Sequence, residues 1–562
     1  MTMNTIDRLT FLRYAAALFS GFLLWTAYPP AAQAESAWFA LIPVLYIIRH
    51  STPRQAFAAT GIGSMLFWVM TLSWFPAIIK NGGPWILVIL GQVALAAWCS
   101  LYFALFAFAS ARVWSWAGAT PSWRRVVAVT LADPLIWCGL EYVRGVFLSG
   151  FAWNFLGVSQ VNNLPVIQIA SVGGVYAVSA LIILINGALT SIVERALHPF
   201  MMRWKRQTLP VIPFFKRLLR SAESFIPFAC VLGCVAWGFV RTAHWTSTCY
   251  THPAWRIALI QPNTPCVFLS DATTEEARVK TLYTQTELAS AGNPDLTLWP
   301  ETALDGYLPY SRSARDMARR GVTLARSPLL TGTMEAAHVP VSAQAPQGRA
   351  YYNAAWLFNA QGEPLGRKPY RKQHLVPFGE YIPLDKTIPF LQKLAPTGVS
   401  CTPGDGANIF TLTKTNKQTL AIGALICFED TVPELSRNAV QSGAQMLALV
   451  TNDAWFNGSI EPVQHLHQAI FRAVENGVPL VRCANSGVSC VVEPTGKTTV
   501  LRARAALSDF HGFMVLPVAV PQKPLTAIYT QYGDTLLAIP GMFLAFACIV
   551  GRRQFRIPFT RK

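Results

Sequence analysis

The sequence predicts two parts: a bundle of about eight transmembrane α-helices and, between the seventh and eighth, a large external α/β sandwich domain. Three observations predict it. Hydrophobic residues make up 52% of the 562 and charged residues only 13%, against roughly 25% charged in an ordinary soluble chain. The apolar residues gather in runs of membrane length. From about residue 255 the pattern changes to short strands alternating with helices.

The runs fall near 11–28, 36–48, 56–79, 84–109, 126–140, 165–193, 225–240 and 533–551. Crossing about 30 Å of hydrocarbon takes around 20 apolar residues, so the second, fifth and seventh runs are short for it. Charge sets the orientation, because short Lys/Arg-rich loops stay on the cytoplasmic side. With a cytoplasmic N-terminus, the inside segments hold 19 basic residues, from Arg8 and Arg13 through Lys205 and Arg206 to a tail with Arg552, Arg553, Arg556, Arg561 and Lys562. The short outside loops hold only Lys80 and Arg144. The expected organisation is a transmembrane domain over 1–245, an extracytoplasmic domain over 246–530, and a last helix with a basic cytoplasmic tail over 531–562. A second reading takes the start as a cleavable signal peptide ending at Ala32-Gln33-Ala34. Pro29-Pro30 and a second span that follows at once stand against it.

The net charge of +18 does not imply nucleic acid. Residues 1–245 carry a net +11 and the tail +5, which leaves +2 for everything between. Nucleic-acid readers concentrate basic residues on one face of a folded domain, whereas here they flank apolar runs.

In the external domain, 256–261, 295–299, 328–333, 354–358, 420–427 and 446–452 read as buried strands, each bounded by Gly, Pro, Asn or Asp. A helix is expected to start near Thr273, with Glu276 completing a capping box. Another spans about 460–476, with Leu466, Ala469, Ile470, Ala473 and Val474 on one face and a stop at Asn476-Gly477 before Pro479. Strands alternating with helices imply layered α/β packing. The eleven cysteines form no CxxC pair or Cys/His cluster, so no zinc site is expected. Cys249, Cys266, Cys401, Cys427, Cys483 and Cys490 lie in the external domain, where an oxidising compartment permits disulfides. Inside the spans, Asp133 and Glu141 are the main polar groups. Asp133 precedes Pro134, so its side chain is expected to satisfy freed backbone.

Three segments carry chemistry. Leu298-Trp299-Pro300-Glu301 delivers a carboxylate at the end of an apolar strand. Lys372-Gln373-His374-Leu375-Val376-Pro377-Phe378-Gly379-Glu380 is a loop with a lysine and a second glutamate. Ala424-Leu425-Ile426-Cys427-Phe428-Glu429-Asp430 ends a buried strand in a cysteine followed by acids. A nucleophilic thiol needs a base to deprotonate it and a cation to stabilise the oxyanion it creates. Taken singly, each feature has a bland reading as a capping acid, a solvated lysine or a core thiol. Flanking glutamates would raise the thiol pKa, so a thiolate at Cys427 requires Lys372 nearby.

In that order, the three segments resemble the Glu-Lys-Cys triad of the carbon–nitrogen hydrolase (nitrilase) superfamily. Glu141-Tyr142-Val143-Arg144-Gly145, Gly150-Phe151-Ala152-Trp153 and Leu156-Gly157-Val158-Ser159-Gln160 resemble the membrane half of one branch, the apolipoprotein N-acyltransferases. Tyr352-Asn353, Thr451-Asn452-Asp453-Ala454-Trp455-Phe456, Gln464-His465 and Arg482-Cys483-Ala484-Asn485-Ser486-Gly487 match as well. The resemblance implies a nitrilase-like αββα sandwich and a two-step acyl transfer. Cys427 would take a fatty acyl group from a membrane phospholipid as a thioester. The α-amine of a diacylglyceryl-cysteine at an apolipoprotein N-terminus would then receive it. Glu301 is implied as general base, Lys372 as oxyanion stabiliser, and Glu380 and Glu429 as supporting acids. No cofactor and no metal are implied, and a monomer in the bacterial inner membrane, with its catalytic domain periplasmic, is expected. The aromatic loops 307–310 and 378–383 are candidates for shielding the site.

Two other functions use parts of the same pattern. A membrane-tethered amidase would run the triad with water, but an anchor needs one span. A transporter or receptor would put polar groups along a pathway in its spans, and few are present.

Overall fold

The computed structural model describes residues 5–204, 214–265, 272–340, 348–366, 368–383, 400–525 and 527–551. Lys205, Arg206, Cys266, the side chain of Thr273 and the basic tail from Arg552 lie outside the described residues. Two compact units emerge, one drawn from 1–76, 84–241 and 532–562, the other from 77–83 and 242–531.

Among the described residues, six helices are long and apolar enough to cross a bilayer: Arg8–Thr26, Trp85–Ala117, Trp123–Ser149, Ala170–Leu197, Lys216–Thr251 and Ile528–Val550. The expected count of about eight is approximate, because two of the eight runs fall short of that length or apolarity. The second run forms a 3₁₀ turn, Ala34–Trp38, and a nine-residue helix, Ile42–His50, which at 1.5 Å per residue covers only about 14 Å. The third run forms the 19-residue helix Pro53–Thr71. It is long enough, but Arg54, Gln55, Thr60 and Ser64 make it less apolar than the six.

The expectation for Asp133 is corrected. Its carboxylate accepts hydrogen bonds from Ser110 Oγ at 2.6 Å and Trp114 Nε1 at 2.9 Å, so it bridges to a neighbouring helix. Glu141 and Arg144 support non-helical backbone instead. Glu141 accepts from Leu156 N at 2.6 Å, and Arg144 Nη1 donates to the carbonyls of Phe151 and Trp153 at 2.8 and 2.9 Å. Irregular backbone among membrane helices is tolerated only when protein groups satisfy it in this way.

Small residues set the helix contacts, as they do in membranes generally. A Cβ on Gly139 would lie 2.1 Å from backbone atoms of Gly541 and Met542, and one on Gly541 would lie 2.0 Å from Leu135 O. Replacing Gly541→Leu is expected to cost about 1–3 kcal/mol through overpacking. Thermal unfolding in detergent should show it, and an unchanged Tm would mean that the helices do not depend on this approach.

The second unit is a four-layer sandwich. Its first sheet contains β1 (Ala254–Gln261), β2 (Leu296–Leu298), β3 (Tyr307–Leu308), β4 (Leu329–His338), β5 (Arg349–Phe358) and β6 (Tyr370–Arg371). The other sheet contains β7 (Ile409–Thr413), β8 (Thr419–Ile426), β9 (Met446–Thr451), β10 (Leu480–Ala484), β11 (Cys490–Val492) and β12 (Thr498–Val500). A last strand, β13 (Gly512–Ala519), completes the first sheet in the order β13-β1-β2-β4-β5-β6, with β3 beside β4. The second runs β12-β11-β10-β9-β8-β7. Both have parallel centres: β1, β2 and β4 in one, β8, β9 and β10 in the other.

Alternation along each strand builds the layers. Trp255, Ile257 and Leu259 meet Leu420, Ile422, Ala424 and Ile426 between the sheets. Ala258 and Ile260 face outward against Leu282 and Met317 of the helices Ala272–Ser290 and Arg312–Ala325. Helices Pro433–Gln441 and Glu461–Asn476 pack on the second sheet. The latter ends where expected, at Gly477 with φ +65°. All six strands read from the sequence are present; the short or late ones (β3, β6, β7 and β10 to β13) carried too little pattern to read.

Candidate active site

Parallel strands release their chains at one edge of the sheet, and the described chemistry lies there. The chain leaves β2 into Trp299-Pro300-Glu301, and β4 makes room for it at Gly332, where a Cβ would lie 2.5 Å from Glu301 Cα. β6 runs directly into Lys372, whose backbone N–H donates to Asn353 O on β5 at 2.8 Å. β8 ends at Ile426, and Cys427 opens the 3₁₀ turn Cys427–Thr431 with φ +52°. Left-handed backbone is uncommon for a side chain with a Cβ and marks a turn held by its surroundings.

The five acid, lysine and cysteine positions read from the sequence come together here. Cys427 stands close enough to Glu301 and Lys372 for both charges to act on its thiol. Lys372 Nζ lies 3.7 Å from Glu301 Oε1 and 2.9 Å from Glu380. Glu380 also accepts from Val376 N at 2.8 Å. Asn353 Nδ2 bridges the two acids, at 2.7 Å from Glu301 and 2.9 Å from Glu380. Lys372 is buried, so its charge acts at short range with little solvent screening.

Electrostatics give the four groups different states. Burial pushes the Cys427 thiol well above its ordinary value, Glu301 adds to this, and Lys372 opposes it. The resting group is a thiol. Burial likewise raises Glu301 against the pull of Lys372, which makes it a stronger base than an exposed glutamate. For Lys372, burial favours the neutral amine, but Glu380, Cys427 and Glu301 outweigh it and raise its pKa. Burial raises Glu380, but Lys372, the Val376 N–H and Asn353 together outweigh it and hold its carboxyl below the usual value. Such a set can pass a proton from thiol to carboxylate and hold positive charge beside an oxyanion.

Glu429 lies in the Cys427–Thr431 turn and accepts hydrogen bonds from the lysine segment and the end of β8. Its Oε1 accepts from the backbone N–H groups of Gln373 and His374 at 2.7 and 3.1 Å. Oε2 is 2.8 Å from both Ile426 N and Tyr370 Oη. Glu429 therefore ties the Lys372 segment to the end of β8. Burial raises its carboxyl to about 7, with Lys372 and the backbone donors opposing. At pH 6, Glu429→Gln places an N–H₂ group against Ile426 N and is expected to cost about 1–3 kcal/mol. A folded pKa above the unfolded value near 4.3 means that wild-type stability declines as pH rises from about 4 to 7. Glutamine does not titrate, so the gap in Tm should narrow by pH 8. A gap independent of pH would assign the effect to packing alone.

Asn353 and Tyr370 are the contributors that residue-by-residue reading of the sequence missed as site members. The signal for Tyr370 was its place two residues before Lys372, and for Asn353 its place in a matched motif. On the flanking loops, Tyr307, Tyr310 and Phe378 are exposed by 41%, 53% and 66%, so these aromatics are not core packing. All described cysteines are free thiols.

Residues 20–188 match the family of the apolipoprotein N-acyltransferase N-terminal domain, and 256–507 match the carbon-nitrogen hydrolase family. The chain is 31% identical to the apolipoprotein N-acyltransferase of Geobacter metallireducens, over 98% of this chain and 96% of that one. The enzyme of the same name from Pseudomonas putida is 30% identical over 91% and 92% of the two chains. That from Chlorobaculum tepidum is 29% identical over 97% and 98%. Among solved structures, an amidase from Nesterenkonia sp. covers 51% of this chain and 95% of its own at 22% identity, with a TM-score of 0.34.

Proposed function

The chain belongs to the apolipoprotein N-acyltransferase family, and on that premise we propose how its residues carry out the reaction. It is a membrane acyltransferase. Glu301 takes the proton of Cys427, and the thiolate attacks an ester carbonyl of a phospholipid. The tetrahedral oxyanion forms beside Lys372. Its collapse breaks the ester C–O bond, Glu301 returns the proton to the departing oxygen, and a lysophospholipid leaves. The α-amine of a diacylglyceryl-cysteine then attacks the thioester carbon and gives a proton to Glu301. The C–S bond breaks, the thiol is restored, and the product is an amide on the apolipoprotein.

The observation that carries this reading is Lys372 Nζ 3.7 Å from Glu301 Oε1, with both charges acting on the buried Cys427 thiol. Glu380, held by Lys372, Val376 and Asn353, keeps the lysine charged and aimed. Both substrates are lipids of the outer leaflet, and 19 basic residues on one side against two on the other support a periplasmic catalytic unit in the bacterial inner membrane.

The test is the intact mass of the purified protein in mixed micelles of total bacterial phospholipid. The expected result is a fatty-acyl increment that hydroxylamine removes and that a diacylglyceryl peptide discharges as N-acyl peptide. Discharge by water alone, with hydrolysis of small amides, would replace this function with that of an amidase. Absence of both adduct and peptide acylation would exclude the acyltransferase mechanism.

A further inference from the structure

The matched segments around Asp453, His465 and Arg482 take no part in the steps above, yet they converge behind the Cys427 turn. His465 is buried on the Glu461–Asn476 helix. Its Nε2 lies 2.9 Å from Asp430 Oδ1, and its Nδ1 lies 3.0 Å from Asp453 Oδ1. Glu461, one helical turn earlier, stands 3.7 Å from Nδ1. Arg482 on β10 places Nη2 2.9 Å from Asp453 Oδ2 and 2.9 Å from His465 Nδ1, and Nε 3.9 Å from Asp430 Oδ2. Among the described residues, Asp453, Glu461 and His465 bring possible metal-ligand atoms within 4.8 Å of one another. The guanidinium already supplies positive charge to that group, so we read it as an ionic cluster and not as a metal site.

The two ends of the cluster matter more than its charge. Asp430 belongs to the turn Cys427–Thr431. Asp453 follows β9, the strand parallel to β8, and is pinned there: its N–H donates to Ser486 O at 3.0 Å, and Thr451 Oγ1 donates to Oδ1 at 2.9 Å. Gly487, at φ +125°, leaves space for it, since a Cβ would meet Asp453 Oδ2 at 2.3 Å. The imidazole thus links an anchored acid to the nucleophile's turn at 2.9 and 3.0 Å, while Arg482 comes no nearer to Asp430 than 3.9 Å.

We propose that His465 is a positioning residue, a buried imidazole that ties Asp430 to Asp453 and thereby holds the left-handed Cys427 turn in register with Glu301 and Lys372. This rests on the reading of Cys427 as the nucleophile. Burial disfavours the imidazolium, but Asp430 and Asp453 outweigh it and hold His465 at about 10, so the link is ionic at neutral pH. Burial also raises Glu461 well above its usual range, which keeps it neutral. Two acids, Asp430 and Asp453, thus face two basic groups, His465 and Arg482.

The test compares thioester formation by the full-length protein in mixed micelles of total bacterial phospholipid. His465→Gln keeps the size of the side chain and removes the charge. A displacement of the reacting atom by about 1 Å costs on the order of 100-fold in rate. The expected result is a maximal acylation rate lowered by about that factor at an unchanged half-saturating phospholipid concentration. The double variant His465→Gln/Asp430→Asn restores charge balance without the strap and should remain as slow. Wild-type rates in either folded variant would overturn the proposal. Unfolding of both would make the cluster a requirement of folding and would overturn it equally. A wild-type protein that forms no adduct would take the nucleophile reading down first, and this inference with it.

Discussion

Cys427→Ala is expected to abolish thioester formation and to lower peptide acylation by about 10⁴-fold or more, the scale seen when a covalent nucleophile is removed. In the mechanism we propose, Glu301, Lys372 and Glu380 have no route to the product without it, because the acyl group would have to be held while one lipid leaves and another enters. The same position makes a stability prediction of opposite sign. Cys427 sits at φ +52°, where a non-glycine residue costs of order 1–3 kcal/mol. Cys427→Gly should therefore be inactive and yet unfold at a higher temperature than Cys427→Ala. Equal Tm values would show that the turn stores no strain. Retained activity in the alanine variant would remove Cys427 from the mechanism.

Lys372→Met is expected to fail in both activity and stability. Loss of an oxyanion stabiliser costs about 10²–10³-fold. The methionine also leaves Glu301 and Glu380 facing each other without the cation between them, and breaking a buried pair by removing one partner costs about 3–5 kcal/mol. The pH dependence follows from Glu380. Lys372 lowers its folded pKa in the wild type, so that contribution is present above the unfolded pKa near 4.3 and is lost as pH falls through the folded value. Without the lysine, one of the two acids keeps a proton. The stability gap between variant and wild type should be largest near pH 7 and should shrink toward pH 4. A gap that does not change with pH would mean that the lysine acts through packing of its stem.

Much of this was legible locally. The apolar runs, the flanking arginines, the strands into Glu301 and Cys427, and the helix stop at Asn476-Gly477 each depend on fewer than about twenty neighbouring residues, over which hydrophobic period and turn chemistry operate. The run at 36–48 shows the limit. It has the apolarity of a span, but the chain there folds as a turn and a short helix, with Pro43 in its first turn and Thr52-Pro53 opening the next helix just beyond its end.

The sequence by itself determined that this is a membrane chain with a large α/β unit, and which acid, lysine and cysteine lie at strand ends. Tertiary structure alone decided that Glu301, Lys372 and Cys427, separated by 71 and 55 residues, meet at one edge of two facing sheets. It also decided that Asn353 bridges both acids, that Glu429 ties down the lysine segment, and that residues 77–83 pack with the second unit, where Asn81 donates to Trp455 O at 2.8 Å. The physical reason is that such contacts are selected by the burial and hydrogen bonding of the whole fold, and no local period or propensity carries information about a partner many residues away.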